Sequence, residues 1–262
     1  MKSVFITGAS SGIGAALAQQ YAAQGATVGL VGRRSDALTQ LRLQLHDPHK
    51  HKIYPLDVND HEALAAAAED FIRASGVVNA VIASAGIAHN KPTGAHKDIA
   101  IFAKVMNTNV LATVATFTPF IAHMKAHARA QPCRLVGIAS IAGVRGLPGS
   151  ESYSASKAAV ISYCESLRLD LRRSGIAVVT LAPGFIQTPM TTHVPKSVPF
   201  FMSVDAFAKA AIKAIARGDS YRVIPWQMGL PAKLLRLVPN WLYDRATQMA
   251  KPSSLPSQTI SK

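Results

Sequence analysis

Short apolar runs alternate with longer helix-forming stretches along almost the whole chain. Seven of the short runs predict strands, over residues 3–7, 27–32, 52–56, 80–84, 135–140, 177–181 and 221–224. The intervening stretches predict helices, over residues 13–24, 36–45, 61–74, 98–128, 153–173 and 204–216. Strands separated by helices of this length pair in parallel through right-handed crossovers. Because the strands are almost continuously apolar, helices should cover both faces, which makes the fold α/β with a doubly wound parallel sheet of about seven strands.

The composition bounds the class of protein. A chain of 262 residues with 49% hydrophobic residues can form one large α/β domain or two small ones. No segment approaches the roughly 18 uninterrupted apolar residues of a spanning helix, and the first strand begins too early to leave room for a signal peptide. Cys133 and Cys164 stand far apart in apolar contexts, which predicts buried free thiols. We therefore expect a soluble, cytoplasmic protein.

The formal net charge of +14 is unusually high. Such a charge attracts nucleic acid, anionic lipid or acidic ligands, or forms a merely solvated basic surface. The basic residues are scattered and no basic block alternates with aromatic residues, so nucleic-acid binding is not expected. His123 and His127 have the i, i+4 spacing of metal ligands, but the sequence offers no evident third ligand, so no metal site is expected.

Tyr153 and Lys157 lie four residues apart in a predicted helix, so their side chains share one face. The pKa of a free phenol is about 10, and a neighbouring ammonium lowers it by favouring the phenolate. Ser140, at the end of the predicted strand 135–140, could hold a carbonyl oxygen for the phenol to protonate. The three residues suggest an acid/base site, although a surface tyrosine and lysine on an ordinary helix would show the same spacing.

A glycine-rich segment, TGASSGIG over residues 7–14, joins the first predicted strand to the first predicted helix. Gly8 suits a tight turn, Gly12 a close approach of ligand to backbone, and Gly14 the packing of helix on strand. The N–H groups at such a helix N-terminus can bind a pyrophosphate. The segment, in this strand-to-helix context, predicts a dinucleotide-binding loop.

The second predicted strand ends at Gly32 and is followed by Arg33 and Arg34. Sites selective for NAD usually place an acid about 20 residues after the glycines, where it binds the ribose 2′-hydroxyl. A guanidinium instead suits a 2′-phosphate, which favours NADP(H), unless the two arginines are only a solvated helix entry. After the third strand, Asp57 and Val58 could meet the adenine edge, or Asp57 could simply cap the next turn.

Over roughly residues 1–225, these motifs together resemble the short-chain dehydrogenase/reductase family in its standard, non-extended form. The resemblance implies a Rossmann fold, NADP(H) as cofactor, and interconversion of a carbonyl and a secondary alcohol. It also implies four catalytic residues, Asn109, Ser140, Tyr153 and Lys157. The cofactor-binding residues that it implies, including those taken from the motifs above, are Gly8, Ser10, Ser11, Gly12, Ile13, Gly14, Arg33, Arg34, Asp57, Val58, Ala85, Gly86, Asn109, Tyr153, Lys157, Pro183, Gly184, Ile186 and Thr188.

Each implied catalytic residue has an expected role. In the reducing direction Ser140 would donate a hydrogen bond to the carbonyl oxygen and Tyr153 would supply the proton. Lys157 would lower the tyrosine pKa and bind the nicotinamide ribose, while Asn109, by the resemblance, would hold a water that links Lys157 to solvent. A catalytically silent NADP-binding sensor is the alternative, and the presence of all four residues argues against it.

One position departs from the family pattern. Ser84 stands where the family commonly has an asparagine, directly before Ala85 and Gly86. That asparagine braces the central sheet, so the departure places a stability contact in doubt rather than catalysis. Gly86 still allows the backbone to approach a cofactor closely.

Residues 189–204 correspond to the mobile lid that the resembled family folds over its substrate. The segment is apolar here, which suits a lipid-, acyl- or steroid-like substrate, unless its side chains only pack the lid on the core. The substrate residues expected from this interpretation are Ser140, Tyr153, Met190, Phe200 and Phe201.

Residues 226–250 are expected to form an amphipathic C-terminal extension of a single domain that spans residues 1–225. Apolar residues recur there mostly three or four apart, with Lys233, Arg236 and Arg245 beside them and Pro239 between two halves. The pattern fits a basic helix pair on an anionic membrane or over the site, or a helix packed on the core or on another subunit. Residues 251–262 predict a flexible tail. The resembled family often pairs the helices equivalent to 98–128 and 153–173, which implies a homodimer or homotetramer.

Overall fold

The computed structural model describes residues 1–89, 93–96, 98–192, 194–195 and 197–249. The strands are β1 (Ser3–Thr7), β2 (Thr27–Gly32), β3 (Lys52–Pro55), β4 (Ala80–Ala83), β5 (Cys133–Ile138), β6 (Ile176–Pro183), β7 (Ile186–Gln187), β8 (Met202–Ser203) and β9 (Tyr221–Ile224). Seven of them form one parallel sheet in the order β3-β2-β1-β4-β5-β6-β9, and β7 pairs with β8. The doubly wound α/β sheet expected from the sequence is confirmed.

Helices cover both faces of the sheet. They are α1 (Gly12–Ala23), α2 (Ser35–Gln44), α3 (His61–Ser75), α4 (Asp98–Met106), α5 (Ala112–His127), α6 (Glu151–Leu171), α7 (Val204–Arg217), α8 (Gly229–Leu237) and α9 (Asn240–Met249). Ile6 and Leu30 point to the layer that contains α1 and α7, whereas Phe5 and Val81 point to the layer that contains α3 and α5. Successive strand residues face opposite sides, so continuous apolar runs are needed to fill both layers.

The strand order reverses next to β1, which lies between β2 and β4. Residues of β1 and β4 pair in register, with Ile6 opposite Ile82, so the segments that follow the two strands leave the same edge of the sheet side by side. Ligands of doubly wound sheets bind in the crevice at such a switch point, outside the carboxyl ends of the strands. The fold therefore places the glycine-rich loop and the segment from Ser84 to Gly86 at one crevice.

The stretch expected to be one helix over residues 98–128 is instead α4, a π-turn over Asn107–Leu111, and α5. By length and composition the run Asp98–His127, with a mean hydropathy of 1.4 in its most apolar window, would pass for a membrane-spanning helix. However, α5 packs against the sheet and buries Phe117 and Phe120 completely in the core. Apolar composition in this run thus fits a core helix equally well.

Two further differences from the sequence expectations bear on the site. β5 ends at Ile138, so Ser140 lies two residues beyond the strand rather than at its end, because the chain turns there into a short 3₁₀ segment. The pair β7–β8 was not expected from the sequence, since each strand has only two residues. It joins the two ends of the lid segment through parallel pairing of Ile186 with Met202.

The C-terminal extension forms the helix pair considered from the sequence, with α8 and α9 separated at Val238 and Pro239. Both cysteines are buried and free, as predicted. The tail expected over residues 251–262 lies outside the described residues.

Candidate active site

Helix α6 carries Tyr153 and Lys157 on one face, as their spacing requires. The Nζ atom of Lys157 lies 5.7 Å from the centre of the Tyr153 ring, and the Tyr153 side chain hydrogen-bonds Ser140. Ser140 and Lys157 are buried, whereas Tyr153 is partly exposed. The structure therefore brings together the three residues that the sequence singled out for acid/base chemistry.

Burial governs the charge states of this cluster. It raises the pKa of Tyr153, and the hydrogen bond with Ser140 opposes that rise. Burial also lowers the pKa of Lys157 to about 8, so its ammonium is far more easily deprotonated than an exposed one. The expectation that Lys157 holds the tyrosine pKa below its ordinary value is thus corrected: desolvation dominates the Tyr153 pKa in this arrangement.

Ser140 owes its position to the turn after β5. Its Oγ atom accepts a hydrogen bond of 3.1 Å from the backbone N–H of Ala142, which makes it the N-cap of the short 3₁₀ segment that follows. A serine at an N-cap satisfies a donor that the helix leaves unpaired. The hydroxyl can still donate its own proton, so the cap orients Ser140 without consuming its donor.

Asn109 occupies the π-turn between α4 and α5 and is completely buried. Its amide nitrogen donates to the Ile87 carbonyl oxygen and to Ser156 Oγ, both at 2.9 Å, and its Oδ1 accepts from the Ile87 N–H at 2.8 Å. Asn109 therefore ties the segment after β4 to α6, close to Lys157. π-Turns often occur at functional sites, because they redirect a helical side chain.

The glycine-rich loop has the shape that a dinucleotide requires. Gly8 has φ +68°, and a Cβ atom there would lie 2.8 Å from the backbone of Ala85. A Cβ atom at Gly14 would collide with the Gly8 carbonyl oxygen, so the two glycines let β1, the loop and α1 pack closely. Among the described residues, the Ser11 side chain makes no capping bond at the start of α1, which leaves the first-turn N–H groups free to bind an anion.

Ser84, the departure from the family pattern, is braced from the neighbouring strand. The Thr7 hydroxyl oxygen accepts hydrogen bonds from the backbone N–H groups of Ser84 and Ala85, at 3.2 and 3.4 Å. This contact joins the ends of β1 and β4. A threonine on β1 thus supplies a link between the two strands that form the crevice.

The segment after β6 faces the glycine-rich loop from the other side. A Cβ atom at Gly12 would lie 3.5 Å from the Thr188 side chain, so the two segments are close neighbours. Thr188 begins a short 3₁₀ turn as part of a capping box, and Gly184 donates from its N–H to the Ile224 carbonyl oxygen at 2.8 Å. Thr188 therefore lies against Gly12 of the loop, and the turn and the backbone bond of Gly184 fix this segment in place.

Of the two arginines after β2, Arg34 contacts the glycine-rich loop and Arg33 lies near Asp57. Arg34 donates from its guanidinium to the Ser10 carbonyl oxygen at 3.1 Å and to Ser10 Oγ at 3.3 Å. Arg33 lies 3.9 Å from an Asp57 carboxylate oxygen, and its side chain is 68% exposed. Asp57 also accepts from the N–H of Asn59 at 3.0 Å, so it caps the turn, which is one of the two interpretations left open by the sequence.

An apolar cavity of about 290 Å³ lies next to the turn that carries Ser140. Its lining includes Ile141, Val144, Phe185, Val198, Phe200, Met228, Leu235 and Tyr243. Of the five residues expected to contact the substrate, Phe200 lines the cavity, whereas Ser140, Tyr153, Met190 and Phe201 are not part of its lining. Phe200 adopts a left-handed backbone conformation with φ 62°, which is uncommon for a bulky residue.

Sequence reasoning missed Arg145, which joins the Ser140 turn to the C-terminal helices. Its guanidinium donates to the carbonyl oxygens of Leu235 and Val238 and to the Asn240 side chain, and it lies 4.0 Å from the centre of the Tyr243 ring. The guanidinium thus caps the C-terminal end of α8 and fixes the start of α9. No local pattern reveals this role, because the partners lie at least 90 residues further along the chain.

Comparison with known proteins agrees with this architecture. The short chain dehydrogenase family model matches residues 2–198. An uncharacterized oxidoreductase of Myxococcus xanthus is 33% identical over 254 residues, covering 94% of this chain and 96% of its own length. Cis-4-hydroxycyclohexanecarboxylate dehydrogenase of Sinomonas cyclohexanicum is 32% identical over 215 residues, covering 82% and 83%.

A solved structure shows the same fold. The 3-ketoacyl-(acyl-carrier-protein) reductase of Brucella melitensis, determined in complex with NADH, superposes with a TM-score of 0.78 at 26% identity, covering 85% of this chain and 96% of that one. The family model alone spans well over half of the chain. The chain therefore belongs to the short chain dehydrogenase family of oxidoreductases.

Proposed function

We propose that this protein is an NADP(H)-dependent oxidoreductase that interconverts a carbonyl and a secondary alcohol on a hydrophobic substrate. The observation that carries the proposal is the position of Tyr153: it hydrogen-bonds Ser140 and lies beside Lys157, and Ile141, the residue after Ser140, lines an apolar cavity. Relatives of the chain support the reaction class, since one acts as a dehydrogenase on a cyclic alcohol and another as a ketoacyl reductase.

The roles follow from the local chemistry. Ser140 donates a hydrogen bond to the substrate oxygen, and Tyr153 delivers the proton in reduction or accepts it in oxidation. Burial raises the tyrosine pKa, so the phenol holds its proton at neutral pH and is available as the donor in reduction. Lys157 provides a positive charge that stabilises the phenolate left behind. Asn109 fixes the segment after β4 to α6 beside Lys157. By the family resemblance we also expect it to hold a water that links Lys157 to solvent.

The bound nicotinamide cofactor supplies the hydride chemistry. We propose that the glycine-rich loop holds its pyrophosphate, with Ser10, Ser11, Ile13 and the first-turn N–H groups of α1 as donors. Val58, Ala85 and Gly86 would lie along the adenosine and ribose portions, and Pro183, Gly184, Ile186 and Thr188 against the carboxamide. These assignments rest on the loop shape described above and on the family resemblance.

Selectivity for NADP(H) is proposed from Arg33 and Arg34. The relative from Brucella melitensis was determined with NADH, so the fold by itself does not choose between the cofactors. Both arginines follow β2, with the Arg34 guanidinium on Ser10 and the Arg33 guanidinium near Asp57, and their charge and paired N–H donors suit a 2′-phosphate. Arg33 has one long, exposed contact with Asp57, which costs little to exchange for a phosphate.

The test of cofactor choice is kcat/KM with NADPH and with NADH for the wild type and for Arg33→Ala and Arg34→Ala. We expect the wild type to prefer NADPH and each variant to lose roughly tenfold or more with NADPH but little with NADH. Arg73→Ala is the matched control, because Arg73 is also 68% exposed and has a comparable 4.0 Å contact with Glu69, but lies on α3. Equal wild-type rates with the two cofactors would refute the proposed selectivity.

The apolar cavity supports a lipid-, acyl- or steroid-like substrate. Its lining is aliphatic and aromatic, with Phe185 and Phe200 from the segments around the lid. An NADPH-consumption screen over acyl, steroid and small polar ketones tests this assignment. We expect kcat/KM to rise with the apolar surface of the ketone. A preference for small polar carbonyls would contradict the substrate class while leaving the reaction type intact.

We also propose a homodimer or homotetramer in the cytoplasm. α4, the π-turn and α6 expose large apolar side chains in the monomer, at Ile99, Leu111 and Leu169. Burial of such side chains between subunits would be favourable. Light scattering of the purified protein tests the proposal, and a monomer at micromolar concentration would contradict it.

A further inference from the structure

We infer that the outer face of α8 and α9 docks on an anionic lipid surface. This surface, the α8–α9 face, is defined by Trp226, Leu230, Leu234, Leu237, Trp241 and Leu242. All six side chains are exposed, from 43% for Leu242 to 78% for Leu237. A contiguous set of large exposed apolar side chains marks an interaction surface.

Helix α8 is apolar on two sides, and the protein covers only one of them. Ala232 is buried, and Pro231 and Leu235 line the apolar cavity. Leu230, Leu234 and Leu237, at positions i, i+4 and i+7, share the opposite side and are each more than half exposed. The helix therefore separates the cavity from an uncovered apolar surface.

Helix α9 continues this arrangement. Tyr243 faces the body of the protein, since its hydroxyl donates to the Gly146 carbonyl oxygen at 2.8 Å and its ring lies under Arg145. Trp241 is 69% exposed, and Arg245 follows it at i+4 on the same side. Thus α9 places an aromatic ring and a cation together on its outer side, as interfacial helices do.

The exposed tryptophans of this face favour lipid as its occupant. Trp226 and Trp241 are the two tryptophans of the chain, and both are about 70% exposed on this face. Tryptophan is enriched where an apolar interior meets water and headgroups, because its ring is amphipathic. An exposed indole pair beside exposed leucines matches the boundary between headgroups and acyl chains.

Charge favours an anionic bilayer over a second copy of the chain. Residues 226–249 carry Lys233, Arg236 and Arg245 but only one acid, Asp244, in a chain of net charge +14. Pairing this face with itself would bring like charges together, whereas anionic headgroups would neutralise them. Lys233 adjoins Leu234 and Arg245 shares a helix side with Trp241, so apolar insertion and charge attraction act on the same surface. Arg236 instead donates to the Val144 carbonyl oxygen at 3.3 Å and faces the body of the protein.

The first experiment uses the full-length protein and vesicles, with neither cofactor nor substrate, so its result is independent of the proposed function. The vesicles contain phosphatidylcholine and phosphatidylglycerol in equal parts, or phosphatidylcholine alone. We expect the protein to co-sediment with the anionic vesicles, less so at high salt, and its tryptophan emission to shift to shorter wavelength. Because both tryptophans lie on the α8–α9 face, the shift reports this surface directly.

The second experiment assigns binding to the face. The double variant Leu234→Glu/Leu237→Glu should lose at least about tenfold in vesicle affinity, since two carboxylates would have to enter the headgroup region. Leu43→Glu is the matched control, because Leu43 is 64% exposed on α2 at a different surface, and it should bind as the wild type does. Circular dichroism and NADPH binding verify that both proteins are folded.

Three results would overturn the inference. The first is a wild-type protein that does not co-sediment with anionic vesicles. The second is a double variant that binds these vesicles as tightly as Leu43→Glu does. The third is a wild-type mass that rises with concentration and falls in the double variant while vesicle binding is absent, which would make this face a contact between copies of the chain. A substrate-independent vesicle assay keeps each of these outcomes separate from a failure of the proposed reaction.

Discussion

Lys157 donates a hydrogen bond of 2.8 Å from its ammonium to the carbonyl oxygen of Ile138, the last residue of β5. The bond fixes a long side chain in one position, so the charge stays beside Tyr153. The Lys157 ammonium is thus buried with a neutral carbonyl oxygen as its hydrogen-bond partner, and this burial lowers the pKa of Lys157. The protein therefore accepts a loss of stability at this position in order to keep a charge at the site.

The first prediction concerns this cost. The pKa of Lys157 falls from the ordinary 10.5 to about 8, so between these pH values the unfolded chain binds more protons and stability rises with pH. Below pH 8 the full penalty of about 3 kcal/mol applies, and the bond to Ile138 returns about 1 kcal/mol. Lys157→Met should thus be about 2 kcal/mol more stable than the wild type at pH 7 in urea unfolding, although inactive.

The pH dependence supplies the control for Lys157→Met. The advantage of the variant should shrink as pH rises from 8 towards 10, since the wild type no longer carries the buried charge. Burial raises the pKa of Tyr153 above its ordinary value, so the folded phenol stays protonated in both proteins over this pH range and contributes little to the difference. A variant less stable than the wild type at pH 7, or a difference constant with pH, would contradict the assignment of the penalty to Lys157.

The second prediction separates chemistry from binding. Tyr153→Phe removes the hydroxyl that bonds Ser140 but keeps the ring beside Lys157. We expect kcat to fall by roughly 10³ or more, while the NADPH dissociation constant, measured by fluorescence titration, changes less than threefold. Ser156→Ala on the same helix is a comparison for loss of a buried hydroxyl that bonds Asn109 instead. Substantial activity in Tyr153→Phe would exclude Tyr153 as the proton donor.

The third prediction concerns the glycine-rich loop. Gly8 and Gly25 both have left-handed backbones, with φ +68° and +81°, but a Cβ atom at Gly8 would lie 2.8 Å from Ala85 whereas none of the described atoms lies within 4 Å at Gly25. Gly25→Ala should therefore cost about 1 kcal/mol from backbone strain alone. Gly8→Ala should cost at least about 2 kcal/mol more and weaken NADPH binding. Equal unfolding free energies for the two variants would show that the close approach of Gly8 to Ala85 is unimportant.

The fourth prediction tests Arg145 as a positioning residue. Arg145→Lys keeps the charge but loses the planar fork that reaches two carbonyl oxygens and Asn240 together. We expect α8 and α9 to loosen, so KM for an apolar ketone should rise about fivefold, with kcat and NADPH affinity changed less than twofold. Hydrogen exchange should be faster in α8. Arg173→Lys, at an exposed position past α6, is the control, and a change confined to kcat would contradict a positioning role.

The cofactor half of the site was predictable because its determinants are local. Gly8 and Gly14 are required by contacts within a few residues or across to the neighbouring strand, and Tyr153 and Lys157 are linked by helical periodicity. The strand pattern is also local, because continuous apolar runs predict a sheet that is covered by helices on both faces. In these places, apart from the contact of Gly8 with Ala85, residues that meet in space are also close in sequence.

The substrate half was less predictable because its contacts are distant in sequence. Arg145 meets Leu235 across ninety residues, and Met228 reaches Gly184, so no window of the chain contains both partners. The π-turn at Asn109 depends on the bonds of that side chain to Ile87 and Ser156 rather than on helix propensity. Burial also reversed the expected effect on the Tyr153 pKa, since the strength of desolvation depends on packing that a sequence does not contain.

The short pairing of β7 with β8 has a consequence for protein engineering. Because Ile186 and Met202 are held together at its base, the lid segment enters and leaves the fold at one fixed point. Loops from relatives, of different length and polarity, can be grafted between Thr192 and Met202, which leaves the sheet and the Thr188 turn beside the glycine-rich loop in place. Val198 and Phe200 of the cavity lining lie in this segment, whereas Phe185, Met228 and Tyr243 lie outside it, so libraries restricted to the segment vary one wall of the cavity and leave the others fixed.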